Sequence, residues 1–389
     1  MKRRFVTIFP ICENVHLTKD LGQIPFFLHK TFQYDSSIVS YKNSKDYPNL
    51  KGEVNGLKLN LIENKGRISF LERSVLSYIK KNAKDIDVLN LYIFSKFTFV
   101  YGILYKLINP KGFLFLKLDG YNETFEKINK IKHSTNGFKN IIFKYLEKEF
   151  LKKIDLITIE NSIGEKLVKE KYPHLSDKIM YLPVGVNDIY LSEHFKSNFR
   201  KFDQKENIIL TVGRIGETIK NNEMMLRALS KTNLKNWKMV FIGAINPDFE
   251  PYLENWKKEN PQLSDKVIFT REIKDRLELY EWYNKSKIFC MTSWKESFCH
   301  SIGEAIYFGN YIIGTEGIVS MRDLSNEQKH GVILKADDDN SLSEKFQYLI
   351  DNPDILSNLF PDIVKYAHHH FTWSNIVVKI HEKIKKTTH

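Results

Sequence analysis

The stretch of sequence that decides the fold reads WKESFCHSIGEAIYFG, residues 294–309. It follows a short apolar run and leads into an amphipathic stretch, an order that predicts a strand, a loop and a helix. Glu296 then lies in the loop and Glu304 within the first turns of the helix. Backbone amides at a helix start are unsatisfied donors at the positive end of the dipole, so they bind anions. The stretch predicts an anion site with two carboxylates that hold hydroxyl groups. The alternative is two ordinary solvated glutamates.

A second cluster lies about 80 residues upstream. Thr211-Val212-Gly213-Arg214 ends an apolar run, and Lys220 precedes a helix that is predicted to begin near Glu223. An Arg and a Lys at the carboxyl end of a strand are placed to neutralise a diphosphate. Gly213 lets a ligand approach the backbone closely. The alternative is a pair of surface cations beside a turn.

Short β-branched or aromatic runs alternate with longer amphipathic segments along the chain, which is typical of βαβ units and parallel sheets. Strands are predicted at 5–9, 37–40, 57–61, 88–94, 113–118, 156–159, 208–212, 237–242, 266–269, 288–291, 311–313 and 331–334. Helices are predicted at 25–33, 68–81, 96–108, 163–171, 223–229, 251–259, 275–285, 302–308 and 341–350.

The polar, poorly patterned stretch 192–206 is predicted to be a linker. We therefore predict an α/β fold with two doubly wound, Rossmann-like domains, residues 1–190 and 205–371. Such sheets bind ligands beyond the carboxyl ends of their strands, so a cleft between the two domains is the expected site.

The 389 residues are 42% hydrophobic and 27% charged, which excludes a disordered chain and a small disulfide scaffold. The formal net charge of +12 is confined to the first half: residues 1–200 hold 33 basic and 21 acidic residues, whereas residues 201–389 hold 26 of each. One domain is therefore expected to meet an anionic partner.

Cys12, Cys290 and Cys299 lack the spacing of a zinc site or redox pair, so we expect a reducing, cytoplasmic compartment. The basic start at residues 2–4 precedes a short run that is better explained as a first strand than as a signal peptide. The apolar window 88–108 divides into a strand and a helix, not a membrane span.

Several motifs together resemble the retaining GT-B glycosyltransferases of family 4. The pieces are Val212-Gly213-Arg214 with Lys220, Glu296-Ser297-Phe298, Glu304-Ala305 with Gly309, Pro183-Val184-Gly185-Val186-Asn187, and Phe371-Thr372-Trp373. The resemblance spans 183–375 well and the rest more loosely. It implies a GT-B fold in which a helix at about 372–389 completes the N-terminal, acceptor-binding domain, while residues 205–371 bind the nucleotide sugar.

The resemblance also implies residue roles in the second domain. Arg214 and Lys220 would bind the donor diphosphate, Glu304 the ribose and Glu296 the sugar hydroxyls. The other donor-binding positions are Gly213, Arg271, Ile273, Phe298, Cys299, His300 and Ser301. Two positions depart from the family pattern: Cys299 replaces a glycine, which narrows the pocket beside the sugar, and Asn310 replaces a proline.

The N-terminal half matches the family less tightly. Gly22 would face the donor phosphates, with Lys19 or Asp20 near the donor or acceptor. Asp119 takes the place of a family histidine that touches the sugar, although a turn-forming role is the alternative. Glu160 and Asn161 are further acceptor-side candidates, with helix capping as the alternative.

The resemblance implies a retaining transfer in which the leaving phosphate takes the proton of the acceptor hydroxyl, without a metal. Three acidic or histidine-rich segments, 85–87, 337–339 and 368–370, contain residue types that bind metals but are better explained otherwise. Residues 85–87 precede a strand, 337–339 precede a helix as a cap, and three consecutive histidines cannot all face one way. No cofactor is expected. The expected donor is a nucleotide-diphosphate sugar, and UDP is the expected nucleotide.

Residues 125–153 form a basic segment interleaved with aromatic and aliphatic residues, which suits an anionic membrane surface. The candidate contacts are Lys127, Lys130, Lys132, Lys139, Lys144 and Lys148. The alternative is a core-facing helix with a solvated lysine face.

The expected function is the transfer of a sugar to a glycan or lipid-linked acceptor in bacterial surface polysaccharide synthesis, such as a capsule or exopolysaccharide. The enzyme would be bound peripherally to the inner face of the cell membrane, without a nucleic-acid partner. The alternatives are an epimerase or an inverting transferase on the same fold, or a noncatalytic membrane- or nucleic-acid-binding protein.

Overall fold

The computed structural model describes residues 2–68, 71–118, 138–195 and 198–387. The chain forms two compact units. The first comprises the residues up to Asn187 together with those from Trp373 onward, and the second comprises Asp188–Thr372.

The first unit is built on a parallel sheet. Its strands are β1 (Arg4–Ile8), β2 (Asp35–Ser40), β3 (Lys58–Leu61), β4 (Arg67–Ile68), β5 (Leu71–Glu72), β6 (Val88–Tyr92), β7 (Phe113–Leu118), β8 (Leu156–Ile159) and β9 (Ile179–Tyr181). Among the described residues the sheet order is β3-β2-β1-β6-β7-β8-β9, and β4 and β5 form a separate antiparallel ribbon.

Helices cover this sheet: α1 (Asp20–Phe32), α2 (Arg73–Asn82), α3 (Lys96–Ile108), α4 (Phe138–Lys153), α5 (Ser162–Lys171) and a C-terminal helix (Trp373–Thr387). Residues such as Leu89, Leu116 and Ile157 point from alternate strand positions into one apolar core with α2, α3 and α4. The C-terminal helix packs against α1, where the ring of His381 stacks on Phe32 with 3.8 Å between centroids.

The second unit repeats the parallel architecture. Its strands are β10 (Ile208–Val212), β11 (Lys238–Ile242), β12 (Val267–Arg271), β13 (Ile288–Met291), β14 (Tyr311–Thr315) and β15 (Gly331–Leu334). Its helices are α6 (Asp188–His194), α7 (Asn222–Ser230), α8 (Glu250–Glu259), α9 (Arg276–Lys285), α10 (His300–Tyr307), α11 (Met321–Leu324), α12 (Asp339–Asp351) and α13 (Asp354–His370). The sheet order within the described part is β12-β11-β10-β13-β14-β15.

The predicted fold class, two parallel-sheet α/β units, is confirmed, and the window 88–108 divides into β6 and α3. Several details differ from the prediction. Helix α1 begins at Asp20 instead of 25. Helix α2 begins at Arg73 instead of 68, because β4 and β5 of the ribbon precede it. The expected linker 192–206 lies within the second unit. Helix α13 was not predicted, although its apolar residues Leu356, Ile363 and Ala367 are buried.

Within the described residues, no helix combines the length and the hydropathy that a membrane crossing requires.

Gly243 is required by a close backbone approach at the end of β11. Its φ is +153°, and a Cβ atom there would lie 1.7 Å from the carbonyl oxygen of Gly213. Gly303 in α10 differs, because its added Cβ would meet only the Phe298 ring at 3.6 Å. The two glycines therefore form a matched pair for a stability test.

We expect Gly243→Ala to destabilise the second unit by about 3 kcal/mol, because the methyl group overlaps backbone atoms that cannot rotate away. Gly303→Ala should be neutral or stabilise by roughly 0.5–1 kcal/mol, since alanine is the better helix former. Differential scanning calorimetry of both variants tests this, and equal melting temperatures would contradict it.

Candidate functional site

The loops after β10 and β13 meet at the carboxyl edge of the second sheet, because neighbouring parallel strands end at the same edge. The Thr292 hydroxyl donates to the carbonyl oxygen of Asn221 at 2.8 Å, and the Trp294 amide donates to that of Ile219 at 2.8 Å. These bonds hold the 3₁₀ turn Thr218–Lys220 beside the loop that carries Glu296.

Lys220 and Glu296 form an ion pair at this edge. Their side chains are 16% and 21% exposed, so the pair is largely but not fully withdrawn from water. The Glu296 backbone is fixed by its amide, which donates to the Gly317 carbonyl at 3.0 Å, and the Ser293 hydroxyl lies 3.4 Å from Oε1. A fixed, partly desolvated cation beside a carboxylate is suited to bind phosphate and hydroxyl groups.

Gly213 leaves space next to this pair. A Cβ atom on Gly213 would meet Met291 Cε at 3.7 Å and Lys220 Cε at 3.8 Å, which is ordinary contact. Gly213 is therefore not required by packing in this unit, and its donor-binding role stays a prediction.

Helix α10 carries Glu304, as predicted, with Arg276 against it. Arg276 Nη2 donates to Glu304 Oε1 at 2.5 Å and to the Tyr280 hydroxyl at 2.6 Å. The Glu304 side chain is 13% exposed, and the Arg276 guanidinium lies over the Tyr280 ring at 4.6 Å. Burial, together with the nearby Glu304 charge, raises the pKa of Tyr283 well above its usual value.

Arg276 is the residue of this site that sequence reasoning missed. It is 28 positions from Glu304 and lies at the start of α9, where Asp275 caps the helix by accepting from Leu277 N at 2.8 Å. The helix itself was predicted at 275–285 and is observed at Arg276–Lys285. Nothing in the sequence pattern indicated which carboxylate the first side chain of that helix would meet.

The segment before α10 is buried. Phe298 is 6% and Cys299 is 3% exposed, and the Cys299 thiol lies 3.2 Å from the Ser301 hydroxyl. The His300 ring packs edge-on against Phe298, with 5.9 Å between centroids. Burial, followed by the negative charge of Glu296, raises the pKa of the Cys299 thiol.

Three other predicted donor residues lie toward the surface. Arg214 is 66% exposed and pairs with Glu217 at 3.2 Å. Arg271 ends β12 with a φ of +62° and is 75% exposed, 3.9 Å from Glu250, and Ile273 follows it in the next loop. The structure shows no contact of these side chains with the Lys220–Glu296 pair among the described residues, so their ligand roles stay predictions.

The carboxyl edge of the first sheet carries a second charged cluster. Lys117 Nζ lies 3.1 Å from Asp20 Oδ2 and 3.5 Å from Glu160 Oε2. Asn161 caps α5, accepting from the Gly164 amide at 2.7 Å, so the capping alternative holds for that residue. Lys19 is exposed beside this cluster.

Gly22 lies inside α1, where a Cβ atom would come within 2.1 Å of the Leu17 carbonyl oxygen. The glycine is therefore required by local packing, whatever it also faces. Asp119, Lys127, Lys130 and Lys132 lie outside the described residues, as does the side chain of Lys139.

The segments that were weighed as metal ligands have other partners. Asp87 accepts from the Arg4 amide at 2.7 Å, before β6, and Asp338 caps α12 by accepting from the Ser341 amide at 3.0 Å. His368 lies 3.1 Å from the Tyr307 carbonyl oxygen. In the described part of the chain, no group of three or more His, Cys, Asp or Glu residues is arranged to hold a metal ion.

Residues 192–369 match the protein family described as Glycosyl transferases group 1. The match covers most of the second unit and includes the loops that carry Lys220 and Glu296. Over these residues the second unit is therefore similar to glycosyl transferases group 1.

A relative in Campylobacter jejuni, named GalNAc-alpha-(1->4)-GalNAc-alpha-(1->3)-diNAcBac-PP-undecaprenol alpha-1,4-N-acetyl-D-galactosaminyltransferase, is 25% identical over 234 residues. The match covers 59% of this chain and 60% of the relative's length.

Two solved structures share the fold of the whole chain. A glycosyltransferase from Rickettsia africae has a TM-score of 0.72 at 16% identity, covering 99% of this chain and 98% of its own. HepE of Anabaena, in complex with UDP, has a TM-score of 0.70 at 13% identity, covering 99% of this chain and 100% of its own. These similarities confirm the predicted GT-B type of fold.

Thiol reactivity tests the burial of Cys299. The thiolate is the nucleophile, and burial raises the pKa of all three thiols, that of Cys12 to about 12. We therefore expect little alkylation of the native protein at pH 8, whereas all three thiols should react in guanidinium. Rapid native labelling of Cys299, located by peptide mass spectrometry, would show that the loop before α10 opens.

Proposed function

We propose that this protein is a retaining glycosyltransferase that moves a sugar from a nucleotide-diphosphate sugar, a UDP-sugar in the first instance, to a glycan or lipid-linked acceptor. The observation that carries the proposal is the partly buried Lys220–Glu296 pair at the carboxyl edge of a parallel sheet, in front of the helix that carries Glu304.

A nucleotide-diphosphate sugar has a diphosphate, a sugar and a ribose, and different residues of the site would bind each of them. Lys220 and Arg214 supply positive charge for the diphosphate, together with the backbone amides at the start of α10. When a diphosphate binds Lys220, the Glu296 carboxylate becomes available to accept hydrogen bonds from sugar hydroxyls. In the proposal Glu304, which Arg276 holds in position, accepts a hydrogen bond from the ribose.

In the proposed mechanism the acceptor hydroxyl attacks on the face from which the nucleotide diphosphate leaves. The bond between the anomeric carbon and the phosphate oxygen breaks, the bond to the acceptor oxygen forms, and the leaving phosphate takes the acceptor's proton. The protein contributes position and charge, since Lys220, Arg214 and the α10 amides stabilise the negative charge that develops on the phosphate. The proposed transfer uses no metal ion.

The rival functions predict different products. An inverting transferase forms the opposite anomer, and an epimerase releases an altered nucleotide sugar without an acceptor. A noncatalytic protein binds no nucleotide sugar. A thermal-shift screen of nucleotide sugars, followed by anomer analysis by NMR, separates all of these.

Removing a charge at the donor site should reduce transfer strongly. We expect Arg214→Ala, Lys220→Ala and Glu296→Ala each to lower kcat/KM by about 100-fold or more, because each group acts on charge or hydroxyls in the transition state. Steady-state assays with UDP-GalNAc and UDP-glucose as donors measure the effect.

Lys231→Ala is the matched control, because Lys231 is a half-exposed lysine that pairs with Asp339. It should leave turnover unchanged. Circular dichroism checks folding, since Lys220 and Glu296 are partly buried. Near-normal turnover in all three site variants would refute the assignment.

We further propose that the first unit meets an anionic membrane through α4. On this helix Ile141 and Tyr145 are 67% and 63% exposed. Lys144 and Lys148 line an open groove of about 670 Å³ whose apolar floor includes Leu151. Cations around exposed apolar groups are typical of helices that lie on anionic lipid.

This surface suits an enzyme whose acceptor is carried on a lipid diphosphate at the inner face of the cell membrane. The Campylobacter relative's name includes an undecaprenol-diphosphate glycan, which supports an acceptor of that chemistry here. The proposed setting is bacterial surface polysaccharide synthesis, such as a capsule or exopolysaccharide, with peripheral membrane attachment.

Charge reversal tests the membrane proposal. Each favourably placed lysine contributes about 1 kcal/mol of attraction to anionic lipid, so Lys144→Glu with Lys148→Glu should weaken binding at least about 30-fold. Co-sedimentation with vesicles of phosphatidylglycerol and phosphatidylcholine measures it. Lys257→Glu with Lys258→Glu, on the exposed face of α8, is the control, and equal binding of wild type to neutral and anionic vesicles would exclude the proposal.

A further inference from the structure

Lys117 is buried completely at the carboxyl end of β7, although lysine is among the residue types that are almost never fully buried without a partner. Its ammonium group has three donors, and three acceptors surround it: Asp20 Oδ2 at 3.1 Å, Glu160 Oε2 at 3.5 Å and the Leu118 carbonyl oxygen at 3.2 Å. Of these contacts, the one to Leu118 is a hydrogen bond and the two to the carboxylates are ion pairs.

Among the described residues the cluster holds two carboxylates and one ammonium group, which is a formal charge of −1. The side chains of Asp20 and Glu160 are 12% and 9% exposed. A carboxylate has about four lone-pair sites, which is more than one contact with Lys117 uses. Two carboxylates favour a ligand that donates hydrogen bonds over a phosphate.

Two further polar residues share a face of the sheet with Lys117, and within the described part of the chain each has an unpartnered polar atom. Thr158 is the register neighbour of Lys117 on β8, and Asn90 lies on the same face of β6. Both residues are fully buried, and among the described residues Thr158 Oγ1 and Asn90 Nδ2 have no hydrogen-bond partner. Unpartnered buried polar atoms are destabilising, so they point to a group that the site is built to receive.

We propose that Lys117 is a positioning residue that holds the carboxylates of Asp20 and Glu160 together as a subsite for sugar hydroxyl groups. The inference rests on the proposed function. The two units then bind different groups by opposite charges. The second unit offers cations for phosphate, whereas this cluster offers carboxylates for hydroxyl groups. The hydroxyls belong either to the sugar that is transferred or to the acceptor sugar.

Stability alone does not explain the cluster. Buried ion groups are often replaced by apolar residues of similar volume without loss of stability, whereas removal of one partner leaves an uncompensated charge. The first unit has an extensive apolar core on the other face of the same sheet. A cluster of this kind at a sheet's carboxyl edge is therefore better explained by binding.

The test uses the variants Asp20→Asn, Glu160→Gln, Lys117→Met and the double variant Lys117→Met/Glu160→Gln. The double variant restores the net charge of the wild-type cluster, so it separates charge balance from ligand recognition. Lys205→Met is the control for losing a buried lysine, because Lys205 Nζ donates only to backbone carbonyl oxygens, those of Asn284 at 2.7 Å and Ser286 at 2.8 Å among them.

Three readouts distinguish the possible roles. Calorimetry with UDP measures nucleotide binding, hydrolysis of UDP-GalNAc or UDP-glucose without acceptor measures recognition of the donor sugar, and transfer to a synthetic polyprenyl-diphosphate-linked disaccharide gives the acceptor's KM. An effect on hydrolysis assigns the subsite to the donor sugar. An effect confined to the acceptor's KM assigns it to the acceptor.

We expect Asp20→Asn and Glu160→Gln to bind UDP as the wild type does and to raise one sugar KM about 10- to 100-fold, the usual effect of losing a hydrogen bond to a charged group. Lys117→Met should lower the melting temperature and raise the same KM, with a smaller change in kcat. The double variant should regain the melting temperature but not the KM, and Lys205→Met should lower the melting temperature alone.

Recovery of both properties in the double variant would reduce Lys117 to charge balance and overturn the inference, as would wild-type kinetics in Asp20→Asn and Glu160→Gln. If the wild type binds neither UDP nor a UDP-sugar, the proposed function fails first and the subsite fails with it. If the wild type transfers sugar and Asp20→Asn and Glu160→Gln have wild-type kinetics, the proposed function stands but the subsite does not.

Discussion

Parallel strand pairing is the constraint on which the rest of the molecule depends. In both main sheets the hydrogen-bonded neighbours run in the same direction, so all their carboxyl ends lie on one edge. Strands buried on both faces are mostly apolar, and polar residues are more frequent where the strands stop. Glu160 follows β8 and Gly213 follows β10, and each begins a loop at the carboxyl edge of its sheet.

The electrostatics at these sheet edges depend more on ion pairs between fixed side chains than on the net charge of the chain. Lys220 faces Glu296, Arg276 faces Glu304 and Lys117 faces two carboxylates. Each pair is only partly exposed or is buried, so the surrounding medium screens it less than it would screen a surface pair. The excess of basic residues in the first 200 positions therefore says little about the chemistry at the sheet edges.

Most of the architecture was predictable, because the hydrophobic pattern of each segment agrees with its buried or exposed position in the fold. The predicted bounds of β7, β8, β10, β13, β15 and α3 match the structure, since each is a continuous apolar run or has a clear helical periodicity. The start of α1 was missed because Asp20 and Gly22 look like a turn, whereas the helix there packs its glycine against Leu17. The partners of Arg276 and Lys117 could not be predicted. Glu304 is 28 positions from Arg276 and Asp20 is 97 positions from Lys117, so these residues meet only through the fold.

The C-terminal helix has a consequence for how the chain is made. His381 stacks on Phe32 and lies 3.0 Å from the Tyr34 hydroxyl, a contact between residues 347 positions apart. During synthesis the second unit, which is continuous in sequence, leaves the ribosome before this helix does. The unit that begins first is thus completed last, and until then α1 exposes the apolar face that the C-terminal helix covers.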